Sequence, residues 1–161
     1  MTIASAPKGT IEGVQIVPLR RIPDERGTVY QMLKRTDPYF KAFGEIYFSS
    51  VYPGVVKGWH RHREMTLNYA CIFGRIKLAI YDERDGSPTR GNLMEVFLGP
   101  DNYSLVIIPP GVWNGLNSVI QIWPFLTSSP SGGTYCNVPS PHMPVFSSIG
   151  LLSRIGFWMS A

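Results

Sequence analysis

The feature that most narrows the fold of this chain is a run of short apolar segments, each closed by turn residues. GTVYQML (27–33), EIYFSSVY (45–52), TLNYACIF (66–73), RIKLAIY (75–81), NLMEVFLG (92–99) and YSLVIIPP (103–110) follow one another closely. Such segments are rich in β-branched and aromatic side chains, and strands at roughly 8–12-residue spacing with turns between them predict an all-β sandwich or barrel. TLNYACIF and RIKLAIY meet at Gly74, which reads as a hairpin turn. No window of similar length carries sustained helical periodicity. Strands with helices between them, as in a parallel α/β sheet, are excluded.

The totals agree. Fourteen prolines and 16 glycines in 161 residues mean many turns, and 44% hydrophobic with 16% charged residues fits one folded domain with a real core. The net charge of +4 suits a small anionic ligand, yet no dense Lys/Arg block marks a nucleic-acid surface. Two cysteines, Cys71 and Cys136, are too few for a disulfide scaffold and fit a reducing compartment. The start, MTIASAPKGTIEG, has no secretory pattern. The late apolar stretch SSIGLLSRIGFWMSA is interrupted by Arg154 and too short to span a bilayer. A cytoplasmic protein with no membrane partner is the expectation.

Charge divides the chain. All the Lys, Arg, Asp and Glu residues except Arg154 lie in residues 1–115, and no acid follows Asp101. Soluble surfaces normally intersperse charges. The expected organisation is therefore a folded domain over 1–116 and an irregular, low-charge tail over 117–161. That tail reads as packed on the sandwich or at a subunit interface, as poorly ordered, or as the product of a shifted reading frame.

The chemistry concentrates in VVKGWHRHRE (55–64), which holds two of the three histidines. Alternate residues of a strand share a face. Residues 55–62, if extended, put Val56, Gly58, His60 and His62 on one face and Lys57, Trp59 and Arg61 on the other, unless a bulge intervenes. Three readings follow. As metal ligands, His60 and His62 with Gly54 start the metal-binding pattern of cupins. Thr66 and Leu67 then stand where that pattern wants a glutamate, Glu64 comes too early, and Asn114 stands where a third histidine belongs. Catalytic metal sites usually offer three protein ligands. As a general base, one imidazole titrating near neutrality removes a proton beside a ketone if something stabilises the enolate. Lys57, Arg61, Arg63 and Arg84 are the nearby cations for that task or for a phosphate. As plain sandwich residues, both histidines are hydrogen-bonded or face solvent.

The flanking motifs weigh on that choice. DERGTVYQ (24–31), GVVKGWH (54–60), YDERDGSPT (81–89) and IPPGVWNGL (108–116) resemble, in order, the D-x-R-G-x-F-x-E, G-V-L-R-G-L-H, V-D-I-R-x-x-S-P-T and I-P-x-G-x-A-H-G-F segments of the dTDP-4-dehydrorhamnose 3,5-epimerase family. The resemblance covers about residues 10–116. It implies a cupin double-stranded β-helix, or jelly roll, acting on a dTDP-linked 4-keto-6-deoxysugar for cell-surface polysaccharide synthesis. No metal or organic cofactor is needed in that chemistry, because the ketone acidifies the neighbouring C–H. A homodimer is implied as well.

By resemblance, His60 is the base that takes the proton from the sugar carbon. Arg26 contacts the nucleotide diphosphate, often across the dimer interface, and Lys57 helps to bind substrate, having lost the bidentate fork of the family's arginine. Asp82 lines the pocket and Arg84 is structural, while His62 and Asn114 complete the polar lining. The family's enolate-stabilising lysine falls at Leu67, its catalytic tyrosine falls in LTSSPS, and its orienting aspartate has no counterpart after Asp101. A metal-dependent cupin using His60 and His62, or a catalytically impaired sugar-nucleotide-binding cupin, are the alternatives.

Overall fold

The computed structural model describes residues 9–52, 54–120, 125–129 and 135–136. Twelve strands run in order: β1 Gln15–Pro18, β2 Arg21–Asp24, β3 Gly27–Tyr30, β4 Glu45–Ser49, β5 Val56–His62, β6 Leu67–Cys71, β7 Arg75–Tyr81, β8 Leu93–Leu98, β9 Ser104–Ile108, β10 Trp113–Ile120, β11 Phe125–Ser129 and β12 Tyr135–Cys136. Among the described residues there is no helix. One five-stranded sheet has the order β1-β9-β6-β11-β4, the other β12-β5-β10-β7-β8, and β2 and β3 form a separate hairpin. Every pairing is antiparallel. The all-β jelly-roll expectation holds, and each apolar segment read from the sequence contains a strand.

The core lies between the two sheets. From β7 come Ile76, Leu78 and Ile80, at alternate positions, and from β9 Val106 and Ile108; Leu67 and Cys71 of β6 meet them. Each such buried aliphatic side chain contributes about 1.5–3 kcal/mol of transfer free energy. Strands β6 and β9 are buried along their whole length. Their second face is covered too, because Ala70, Leu105 and Ile107 pack under Met32 and Tyr103 with Tyr30, Leu33 and Tyr39. That double burial explains why LNYAC and SLVII read as continuous apolar runs rather than alternating ones.

Gly74 takes a φ of 71° between β6 and β7, a conformation that strongly favours glycine there. Its tightness is reinforced from outside: a Cβ on Gly99 would come within 2.7 Å of the Gly74 carbonyl. The boundary drawn on charge at residue 116 falls inside β10, and the β11 backbone lies between β6 and β4. Strand β12 pairs Tyr135 with His62. The rest of the tail, and with it the choice among its three readings, lies outside the described residues.

Candidate active site

Strands β5 and β10 build one wall of the site. Asn114 pairs with His60, but Leu116 pairs with Lys57, so one residue of β10 faces two of β5. This is a β-bulge on β5, and it breaks the alternation. Val56, Gly58, His60 and His62 line one cavity as alternation predicts, and the expectation for Lys57 is corrected: it joins them at the exposed rim. Its Nζ donates to Ser49 Oγ on β4 of the opposite sheet at 2.9 Å. Arg61 stays outside, where its guanidinium lies 4.7 Å from the Trp113 ring centroid. Trp113 Nε1 donates in turn to Glu83 Oε2 at 2.9 Å. This outer cluster clamps β5 to β10 directly behind the rung that carries His60.

The cavity between the sheets is open to solvent on one side and measures about 410 Å³. Lys57, His60 and His62 of β5 and Asn114 and Leu116 of β10 line one side, with Tyr47 and Ser49 of β4 and Tyr69 of β6 on the other. His60 is half-buried and His62 is 4% exposed. Burial, and then the neighbouring His60 charge, lower the His62 pKa from its ordinary value. Asn114 is fully engaged: it accepts from Tyr69 OH at 3.0 Å and its Nδ2 donates to the His60 carbonyl at 3.1 Å. Gly111, at φ 81°, donates its N–H to the His62 carbonyl at 2.8 Å, which holds the start of β10 to the end of β5.

The structure therefore brings together four of the six residues singled out by sequence: His60, His62, Lys57 and Asn114. Asp82 is placed elsewhere. It is fully buried but does not line this cavity, and its carboxylate accepts from the Arg84 backbone N–H, the Arg84 guanidinium, Ser87 Oγ and Thr89 Oγ1 at 2.6–3.0 Å. Burial alone would raise its pKa, yet the bonds from Arg84, Ser87 and Thr89 outweigh burial and hold the carboxyl well below the usual carboxylate range. A carboxylate so saturated organises its own loop, 82–92. Arg26 sits on the β2–β3 turn, 82% exposed, and pairs with Asp24 at 2.7 Å.

Leu67, where the resemblance would put a lysine, is a core residue. Lys57 is the one lysine or arginine among the lining residues. Sequence reasoning passed over Tyr47, Ser49 and Tyr69. The signal was present in EIYFS, where Tyr47 and Ser49 alternate with Ile46 and Phe48, but aromatic strand residues read first as core. A second cavity of about 300 Å³, beneath residues 38–42, is lined by no histidine and no acid. Among the described residues no group of three His, Cys, Asp or Glu side chains could hold a metal ion.

The fold is a cupin-type jelly roll, and its inter-sheet cavity gathers imidazole, ammonium and phenol groups. The sequence profile of the dTDP-4-dehydrorhamnose 3,5-epimerase family matches residues 8–123. The chain is 34% identical over 111 residues to the "Probable low-salt glycan biosynthesis epimerase Agl13" of Haloferax volcanii, covering 68% of this chain and 71% of that protein. It is 31% identical over 105 residues to the spore coat polysaccharide biosynthesis protein SpsL of Bacillus subtilis, covering 65% and 70%. The crystal structure of a dTDP sugar isomerase from Desulfovibrio desulfuricans superposes with a TM-score of 0.80 at 41% identity, over 84% of this chain and 91% of that one. The chain belongs to the dTDP-4-dehydrorhamnose 3,5-epimerase family. It is an epimerase, of the isomerase class, with a nucleotide sugar as its small-molecule substrate.

Proposed function

We propose that the protein epimerises a nucleotide-diphosphate 4-keto-6-deoxysugar, of the dTDP-linked kind, at a carbon next to the ketone. The observation that carries this reading is the bulged strand β5, from which both His60 and Lys57 line one cavity. His60 removes the proton. The ammonium of Lys57, held in place by Ser49, faces the ketone oxygen as it becomes an enolate. Positioned base catalysis supplies roughly 10²–10⁴-fold, and a preorganised cation at the developing oxyanion adds about 10²–10³-fold. No step calls for a cofactor, since the carbonyl itself makes the neighbouring C–H acidic.

Asn114 holds the His60 backbone, and His62, kept neutral by burial, closes the polar floor. Asp82 acts at a distance by shaping its loop. Arg26 is exposed on a hairpin away from the cavity, so its expected contact with the diphosphate is made in the active site of a second copy; the assembly is a homodimer. Exposed Ile46 and Phe48 on the outer face of β4 give such a partner apolar surface to cover. The buried free thiol of Cys71 fits the cytoplasm. Its relatives in glycan and spore coat polysaccharide synthesis point to a product destined for cell-surface polysaccharide.

The test is solvent deuterium entering dTDP-4-keto-6-deoxyglucose, followed by mass spectrometry on wild type and His60→Ala. Exchange should fall by about 10²–10⁴-fold in the variant, with the fold retained by circular dichroism. Undiminished exchange in a folded His60→Ala protein would sink the assignment, and mass counting shows whether one carbon or two exchange.

A further inference from the structure

Inverting a carbon centre through a planar enolate requires a proton to leave one face and another to arrive on the opposite face. A single imidazole serves one face only. The cavity has two walls, and His60 stands on the β5–β10 wall. A donor for the opposite face belongs on the wall built by β4 and β6, where the described lining side chains carry three hydroxyls: Tyr47, Ser49 and Tyr69.

Two of the three are less suited. Ser49 is an aliphatic alcohol, a far weaker acid than a phenol, and its Oγ accepts from Lys57 Nζ at 2.9 Å; the deeply buried Tyr69 OH donates its hydrogen bond to Asn114 Oδ1 at 3.0 Å. Tyr47 remains. Its neighbours Ile46 and Phe48 are 48% and 63% exposed on the outside of β4, so strand alternation turns Tyr47 and Ser49 inward together. The Lys57–Ser49 bond links β4 to β5 across the sandwich, and Tyr47 lines the same cavity as His60. LTSSPS, the stretch where the resemblance would seek a tyrosine, contains none.

We propose that Tyr47 is the catalytic acid of this epimerase, donating its phenolic proton to the enolate carbon on the face opposite His60. The inference rests on the epimerase reading above. In the step, the enolate carbon forms a new C–H bond as the Tyr47 O–H bond breaks. The resulting phenolate regains a proton from water, and the His60 imidazolium loses its proton to water.

The experiment separates proton removal from inversion. With dTDP-4-keto-6-deoxyglucose in deuterated buffer, mass spectrometry follows deuterium entry and proton NMR follows the inverted sugar. In Tyr47→Phe, inverted product should fall by about 10²-fold or more while deuterium entry stays within about threefold of wild type, because His60 still removes and returns a proton on its own face. In Tyr69→Phe the two rates should fall together or not at all. Replacing Tyr47 with 3,5-difluorotyrosine, whose phenol is more acidic, should move the alkaline limb of inversion to lower pH and leave the limb for exchange in place.

Inversion at the wild-type rate in Tyr47→Phe overturns the proposal. So does an equal loss of exchange and inversion, which makes Tyr47 a seat for substrate. An unmoved alkaline limb, or a split between the two rates in Tyr69→Phe, overturns it as well. If wild type itself takes up no deuterium through His60, the epimerase reading falls and this one with it; if wild type inverts the sugar, only the Tyr47 assignment is at stake.

Discussion

The loop around Asp82 and the cavity around His60 are both polar clusters, set on the two strands that flank β10, yet they are built in opposite ways. Asp82 spends its acceptor capacity on Arg84, Ser87 and Thr89, all within seven residues of it. The cavity groups draw their partners from other strands, as Lys57 does from Ser49 and Asn114 from Tyr69 and His60, and they keep about 410 Å³ of open space between them. A saturated charge holds architecture. Polar groups arranged around empty volume do chemistry, because only they have somewhere to put a substrate.

That contrast can be broken in three places. Asp82→Ala removes the acceptor shared by Ser87, Thr89 and the part-buried Arg84, which keeps the Glu12 carbonyl, and should lower unfolding free energy by about 3 kcal/mol in urea titrations. Deuterium exchange per folded molecule should stay at the wild-type level. A large loss of exchange in folded Asp82→Ala protein would return this carboxylate to the substrate site. Lys57→Met should do the reverse, cutting exchange by about 10²–10³-fold while stability moves by no more than about 0.5 kcal/mol. Exchange at the wild-type rate would mean that the enolate oxygen is held by something else.

The smallest effect concerns acid. Because the folded pKa of His62 is lowered, its contribution to stability is fully present above the unfolded value of about 6.5 and is lost as pH falls through the folded one. Thermal unfolding between pH 8 and pH 5 should therefore lose stability more steeply in wild type than in His62→Gln, by under about 1 kcal/mol. Identical slopes would show that His62 does not feel its burial. Asp82 acts in the same direction but in a more acidic window, below the usual carboxylate pKa of about 3.9.

How legible each region was follows from the distance over which its determinants act. The strands were readable, since β propensity and turn residues such as Gly74 are local. Arg61 on the outer face was readable by simple alternation. Lys57 was not: its direction depends on the slip between Asn114 and Leu116, set by a strand more than a third of the chain away. Asp82 misled because a family position marks a residue without saying whether its oxygens are free. Tyr47 and Tyr69 hid among apolar neighbours, since phenols on a strand look like core until the facing wall is known. The charge break near residue 116 describes composition, while the backbone of β10 runs straight through it.

Strand β11 has a consequence for the order of assembly. It is seated between β6 and β4, with Phe125 opposite both Cys71 and Ser49, so among the described strands β4 is joined to its sheet through a segment made much later. On the ribosome, His60 and strands β5 to β7 emerge early, but among the described residues the strand bearing Tyr47 has no hydrogen-bonding neighbour until residue 129 has left the exit tunnel. Half of the cleft is thus among the last parts of the nascent protein to close, and contacts so remote along the chain are slow to form.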